Sequence, residues 1–360
     1  MLLMNRRDLD KVYNLYSSIW KQRCKEFGKE PPISVIKNAP EKIVVIGDLH
    51  GDWNATINSL KTANLIKDIP GEKYKKKWIG ADTILVQLGD QIDRCRLDRG
   101  PCHFHNATKN DEASDIKILE FFTELHKQAS KKGGAVYSIL GNHEMMNVVG
   151  DFKYVSRENL MEFSEDGTLE SGINKRKKLF KPGNKYANFL ACTRKVAMVI
   201  GKNLFIHAGI VPEIANKYKV KDINSIVALF LFDKLKEQDK YNDLLINPST
   251  SPYWTRLLGN LNRSSNKQYI SSICDIIFKS GMLSNLLGTK NIHSIERIFI
   301  GHTPQMLKGI NTICNNKIYY MDVGVSQAFD SWDPNTRSKS RNFPVAEILN
   351  DDTINFKYYN

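Results

Sequence analysis

Long hydrophobic runs are missing from this 360-residue chain: the longest, "IVALFLF" at 226–232, falls far short of the roughly 20 residues a membrane-spanning helix needs. The N-terminus, "MLLMNRRDLD", has only a brief apolar start before charges of both signs, so no secretory signal is evident. Asp8 and Asp10 also count against a mitochondrial presequence. Cysteine is sparse. Six residues without regular spacing do not announce a disulfide framework, so a reducing, intracellular setting, cytoplasmic by default, is the expectation. Acid is in deficit: Asp plus Glu number 39 against 52 Lys plus Arg, a net charge of +13. Such a surface favours anionic partners (phosphorylated groups, nucleic acid, acidic headgroups) without choosing among them. Its two basic runs, "KYKKKW" (73–78) and "NKRKKLFK" (174–181), lack the interleaved aromatics of a base-stacking surface and read as solvated loops.

What is present begins with an appendage. Leu9, Val12, Tyr13, Tyr16, Ile19 and Trp20 recur at helical spacing, and this stripe is expected to pack on the main body. "EPPISVIKNAP" (30–40) follows as an extended linker, because each proline disfavours helix around it. Residues 1–39 are therefore read as a helical appendage and linker, and 40–360 as the main domain. From residue 42 short β-branched runs appear: "KIVVIGD", "TILVQLGD", "AVYSILGN", "NLFIHAG" and "RIFIGHT". Helical stretches such as 115–132 lie between several of them, which predicts an α/β layer fold. Segments near 95–113 and 151–190 look inserted, 213–290 reads as mostly helical, and "VAEIL" with "INFKYY" predicts a closing hairpin.

Each of those five runs ends on a residue able to bind a metal. In order they deliver Asp48 and His50; Asp90, followed by Asp93 and Arg94; Asn142 and His143; His207; and His302. A lone Gly-Asp is more often a turn, and a lone His more often packing, but five strand ends agreeing is a different matter. Polar groups at strand ends share one rim of a sheet, where α/β folds keep their sites. Carboxylates, an amide oxygen and imidazoles without thiolate suit Mn, Fe or Zn rather than a Cys-rich structural zinc site.

"GDLHG" (47–51), "GDQIDR" (89–94), "GNHE" (141–144), "HAG" (207–209) and "GHT" (301–303), in that order, resemble the calcineurin-like metallophosphoesterases, in their phosphoprotein-phosphatase branch. "GGAVYSILGNHEMMNVVGDFKYV" (133–155) and the stretch from "GHTPQ" to "YYMDVGVS" resemble the Shewanella-like protein phosphatases. The resemblance implies two mixed β-sheets packed as a sandwich and flanked by helices. It implies two metal ions, manganese first with iron or zinc as alternatives. Asp48 and His50 would hold one ion, Asn142, His207 and His302 the other, and Asp90 would bridge them. A metal-bridging hydroxide would then attack a phosphomonoester on Ser/Thr or Tyr of a protein, with His143 as general acid and Asp93 orienting it. Arg94, Arg256 in "YWTRLL" and Asn142 would bind the phosphate.

Alternatives stay open at this stage. A dinucleoside-polyphosphate hydrolase or a nucleic-acid phosphodiesterase could use the same metals, and a non-catalytic scaffold could keep the fold. Against the scaffold, no ligand position is lost. The sequence departs from the branch at Cys95, where glycine is usual, and the following insertion carries Cys102, His103 and His105. A small zinc site, a Cys95–Cys102 redox pair or a plain polar loop all fit that segment. Asp322 reaches the site or begins a turn. Cys24, Cys192, Cys274 and Cys314 read as small buried hydrophobes.

Overall fold

The computed structural model describes residues 6–288, 294–332 and 342–359. All five β-branched runs are strands, and they divide between two sheets. In the first, β2 (Lys42–Ile46), β5 (Ile84–Gln87) and β6 (Ala135–Ile139) are parallel neighbours, extended by β7 (Arg194–Lys195). The terminal hairpin β13 (Val345–Leu349) and β14 (Thr353–Lys357) adds antiparallel strands on the far side of β2. The second sheet centres on β9 (Asn203–Ile206) and β10 (Arg297–Ile300), again parallel. It runs β1 (Val35–Ile36), β8 (Ala197–Ile200), β9, β10, β12 (Ile318–Tyr320), β11 (Asn311–Ile313). Near-continuous apolar strands are what parallel sheets covered on both faces require. Val44, Val45, Leu85 and Val86 of the first sheet share one core with Met198, Phe205 and Phe299 of the second. The arrangement is a two-sheet sandwich with helices outside.

Helix α1 (Arg6–Arg23) buries Leu9, Tyr16, Ile19 and Trp20 against the body. Its neighbours are α9 (Val220–Leu231), which contains most of the longest apolar run, and α7 (Lys185–Thr193). The basic run at 174–181 is no solvated loop. It lies largely in α6 (Leu169–Phe180), and Arg176 within it is wholly buried. The run at 73–78 is likewise part of a strand, β4 (Glu72–Trp78), paired with β3 (Ile66–Ile69).

The cysteines also differ from expectation. All six are paired, as Cys24–Cys192, Cys95–Cys102 and Cys274–Cys314. Two of the bridges join residues 168 and 40 positions apart, so spacing in the sequence carries no sign of them. The disulfide at Cys95–Cys102, with His103 and His105 both exposed, leaves no zinc site in that loop. By length and composition the run Lys267–Leu287 could cross a membrane. Gly281 at φ 82° breaks it into α11 (Lys267–Lys279) and α12 (Met282–Leu287), each too short to span.

Candidate metal centre and phosphate site

The parallel strands β2, β5, β6, β9 and β10 all end on one rim, where the two sheets face each other. The turns that follow are backbone-strained at the chemically important positions. His50, Asp90, Asp93 and His302 all adopt left-handed φ values, of 43°, 49°, 72° and 65°. Non-glycine residues rarely do so, and such strain collects at functional sites when the surroundings hold it in place. Close backbone approach explains two of the glycines: a side chain on Gly301 would overlap the Asp48 carboxylate, and one on Gly141 the Asp90 carboxylate. Glu144 ties two turns together, its carboxylate accepting from the backbone N–H groups of Gly141, Asp90 and Gln91 at 2.7, 3.1 and 2.8 Å. Asp52, the acid four residues after Asp48, has a different task. It caps α2 (Trp53–Thr62), accepting from the Ala55 amide at 2.9 Å.

Two ligand clusters share Asp90: His50, Asp90 and His143 on one side, Asp90, His207 and His302 on the other. In each, the candidate ligand atoms lie within 4.8 Å of one another. The hydrogen bonds decide which imidazole nitrogens are bare. His207 Nδ1 donates to the Leu88 carbonyl at 2.7 Å and His302 Nε2 to the Trp254 carbonyl at 3.2 Å. A carbonyl can only accept, so the inner nitrogens of neutral rings present lone pairs. Those nitrogens face another acceptor, Asn142 Oδ1, at 3.0 and 2.8 Å. Lone pairs converging on an amide oxygen are stable with a cation between them. Asp48 Oδ1, His50 Nδ1 and Asp322 Oδ2 are also buried without a hydrogen-bond partner among the described residues.

Electrostatics agree. Burial, reinforced by Asp322 and Asp90, pushes the Asp48 carboxyl well above the usual range. Burial lifts Asp322 to about 6 and Glu144 to about 7. Burial also drives His50 and His302 well below the ordinary imidazole range, keeping them in the neutral, ligating form. His207 goes the other way: against the effect of burial, Asp90 holds it above the ordinary imidazole range. Buried carboxyls beside two imidazoles kept neutral make a site short of positive charge. The donor set therefore fits two divalent ions.

His143 opens α4 (Asn142–Val149), and its amide donates to Asp90 Oδ1 at 3.0 Å. Its Nδ1 meets Asp93 Oδ2 at 2.7 Å, leaving Nε2 3.8 Å from Asp90 Oδ2 and facing the cavity. Asp93 is held in turn: Asn147 donates to its other oxygen at 2.8 Å, Arg176 donates to Asn147 at 2.8 Å, and Arg176 also pairs with Asp115 at 2.8 Å. This chain of bonds reaches α6, and sequence reading missed its buried arginine inside a run of lysines.

The cavity over the clusters, about 140 Å³, is lined by Asn142, His143, Arg256, His302 and Asp322, so Asp322 belongs to the site. Arg256 lies at its edge, anchored by bonds to the His302 carbonyl at 2.7 Å and Thr303 Oγ1 at 3.0 Å. Arg94 is not among the lining residues. Its guanidinium turns under α2 to the Gly51 carbonyl at 3.1 Å and Glu112 at 2.9 Å, with Asp52 at 3.4 Å. Arg96 occupies the cavity wall instead, beside Tyr154, Phe329 and Trp332. None of those four residues was singled out from the sequence, and only the second arginine two positions on could have hinted at them.

A rim of parallel strands carrying two clusters that share one carboxylate defines a metal-dependent phosphoesterase. Residues 41–306 match the family model described as calcineurin-like phosphoesterase, and the chain belongs to that family. It is 36% identical over 254 residues to "Uncharacterized protein R398" of Acanthamoeba polyphaga mimivirus, covering 64% of this chain and 95% of the relative. It is 27% identical to Shewanella-like protein phosphatase 2 of Arabidopsis thaliana, over 80% of this chain and 72% of that one. Among solved structures, a cold-active protein tyrosine phosphatase matches with a TM-score of 0.60 at 21% identity, over 92% of this chain and 82% of that one, a likeness of fold.

Proposed function

We propose that the chain is a phosphoprotein phosphatase that removes phosphate from Ser/Thr or Tyr, working with two metal ions of which manganese is the first choice. The observation that carries this is the His143–Asp93 pair, set beside the shared Asp90 and facing the same cavity. When bound, the ions supply Lewis acidity and a water made nucleophilic near neutral pH. The assigned ligands are Asp48, His50, Asp90, Asn142, His207 and His302. Asp93 holds the His143 ring through Nδ1, so that Nε2 faces the cavity and can donate a proton to the leaving oxygen as the ester bond breaks. Arg256 and the Asn142 amide orient the phosphate oxygens. The names of the phosphatase relatives support a phosphoprotein substrate.

Initial rates on phosphotyrosine, phosphoserine and phosphothreonine peptides, a dinucleoside tetraphosphate and a diester test the reading, each with Mn²⁺, with chelator, and with His143→Ala. Peptide turnover that is metal-dependent and falls at least 10²-fold in the variant is the expected result. Turnover confined to the nucleotide or the diester would sink it.

A further inference from the structure

The family's motif puts one arginine after "GDQID", and the structure sends that arginine away from the cavity. Four neighbours hold Arg94: the Gly51 carbonyl, Glu112, Asp52 and Gln327. A guanidinium already paired with two carboxylates has little left for a phosphate. Two residues on, Arg96 is buried at 5% exposure yet lines the cavity with His50, Asp90, Asn142 and Arg256. Its Nη1 donates to the backbone carbonyls of Asp93 and Cys95 at 3.1 and 2.7 Å. No carboxylate lies within ion-pair distance of it among the described residues, and its plane rests 4.4 Å from the centre of the Phe329 ring. A buried, aromatic-backed cation with donors to spare, set on the metal-facing wall, is an anion site.

We infer that Arg96, not Arg94, clamps the substrate phosphate opposite Arg256, and that the Cys95–Cys102 disulfide positions it there. The bridge begins at the residue before Arg96 and closes the loop 95–102. Both cysteines are buried, and the Cys95 amide donates to the Tyr154 carbonyl at 3.1 Å, fixing the loop to the neighbouring segment of the same wall. The same Cys95 supplies one of the two carbonyls that hold the guanidinium. Opening the bridge would free the backbone that aims Arg96, while Asp48, His50, Asn142, His207 and His302 stand on other turns and Asp90, on the same turn, stays tied by its amide to the Glu144 carboxylate.

This inference rests on the phosphatase reading only for the identity of the ester; the clamp itself is tested with inorganic phosphate. Calorimetric Kd values for phosphate would be measured on Mn²⁺-loaded protein for wild type, Arg96→Ala, Arg94→Ala and Cys95→Ser/Cys102→Ser. A charge-assisted contact predicts a 10- to 100-fold weaker Kd in Arg96→Ala, with Arg96→Lys recovering part of it. Arg94→Ala is expected to lower the melting temperature and leave the Kd within about twofold. The double serine variant should weaken phosphate at least fivefold and raise KM more than it lowers kcat. Adding it to Arg96→Ala should weaken binding no further, since both changes remove one contact. A Kd lost in Arg94→Ala and kept in Arg96→Ala would overturn the assignment, and so would full additivity for the bridge. Phosphate binding as expected, with no turnover of any peptide, would leave the clamp standing and remove the phosphatase reading.

Discussion

At the scale of single residues the site is a set of charges that could not be stable alone. Arg176 shows this best. It is fully buried and pairs with Asp115, which burial pushes up to about 6 even with this arginine beside it, and it bonds to the Asn147 side chain that holds Asp93 behind His143. Arg176→Met would leave buried carboxylates without their cation, a change that costs about 3–5 kcal/mol in comparable sites. Urea unfolding should show that loss, and kcat should fall with it as His143 loses its fixed ring. An unchanged midpoint would mean that the network is held by something other than this arginine.

Much of the site was legible at this scale. Glycine followed by Asp, Asn or His at the end of an apolar run marks a place where backbone must pack close and a ligand must turn inward; four such places, with His207 closing a fifth run, were enough. Arg94 and Arg96 were not separable, because the left-handed turn at Asp93 redirects the chain and nothing in composition announces it. Arg176 was hidden because, in a run of basic residues, the sequence does not say which one faces inward.

At the scale of elements, the strands and the closing hairpin followed from period and β-branching, whereas the bridges between elements did not. Pairing of Cys24 with Cys192 depends on α1 lying across α7, which only the folded topology sets. With all six cysteines paired in the fold, the argument from cysteine for a reducing compartment no longer holds. The bridge, the Arg6–Asp222 pair and the Arg23 bond to the Phe232 carbonyl together dock the helix. Replacing both cysteines of this pair by serine should lower stability by roughly 2–5 kcal/mol, read from denaturant midpoints. The same loss should appear when wild type is unfolded in reductant. Equal midpoints with and without reductant would argue that the thiols are free in solution.

At the scale of the whole molecule, stability should depend on pH through a residue that does not line the metal cavity. Lys195 is buried on β7 with its ammonium donating to the Pro32 carbonyl at 2.6 Å, and burial pushes its pKa down to about 7. The unfolded chain keeps an ordinary lysine near 10.4, so between about 7 and 10.4 it binds more protons than the folded one. Stability from this group therefore rises with pH across that window, by roughly 2 kcal/mol between pH 7 and 9. Lys195→Met should be the more stable protein at pH 7 and should lose that slope. A slope that survives the substitution would place its origin elsewhere.

The stapled N-terminal helix has a consequence for how the protein meets proteases. Lys29 and Lys37 lie exposed in the linker between Cys24 and β2. A cut at either would sever the backbone and leave α1 fastened to the body through Cys24–Cys192. Such a nicked molecule would run as one band on a non-reducing gel and release a short fragment only when thiol is added.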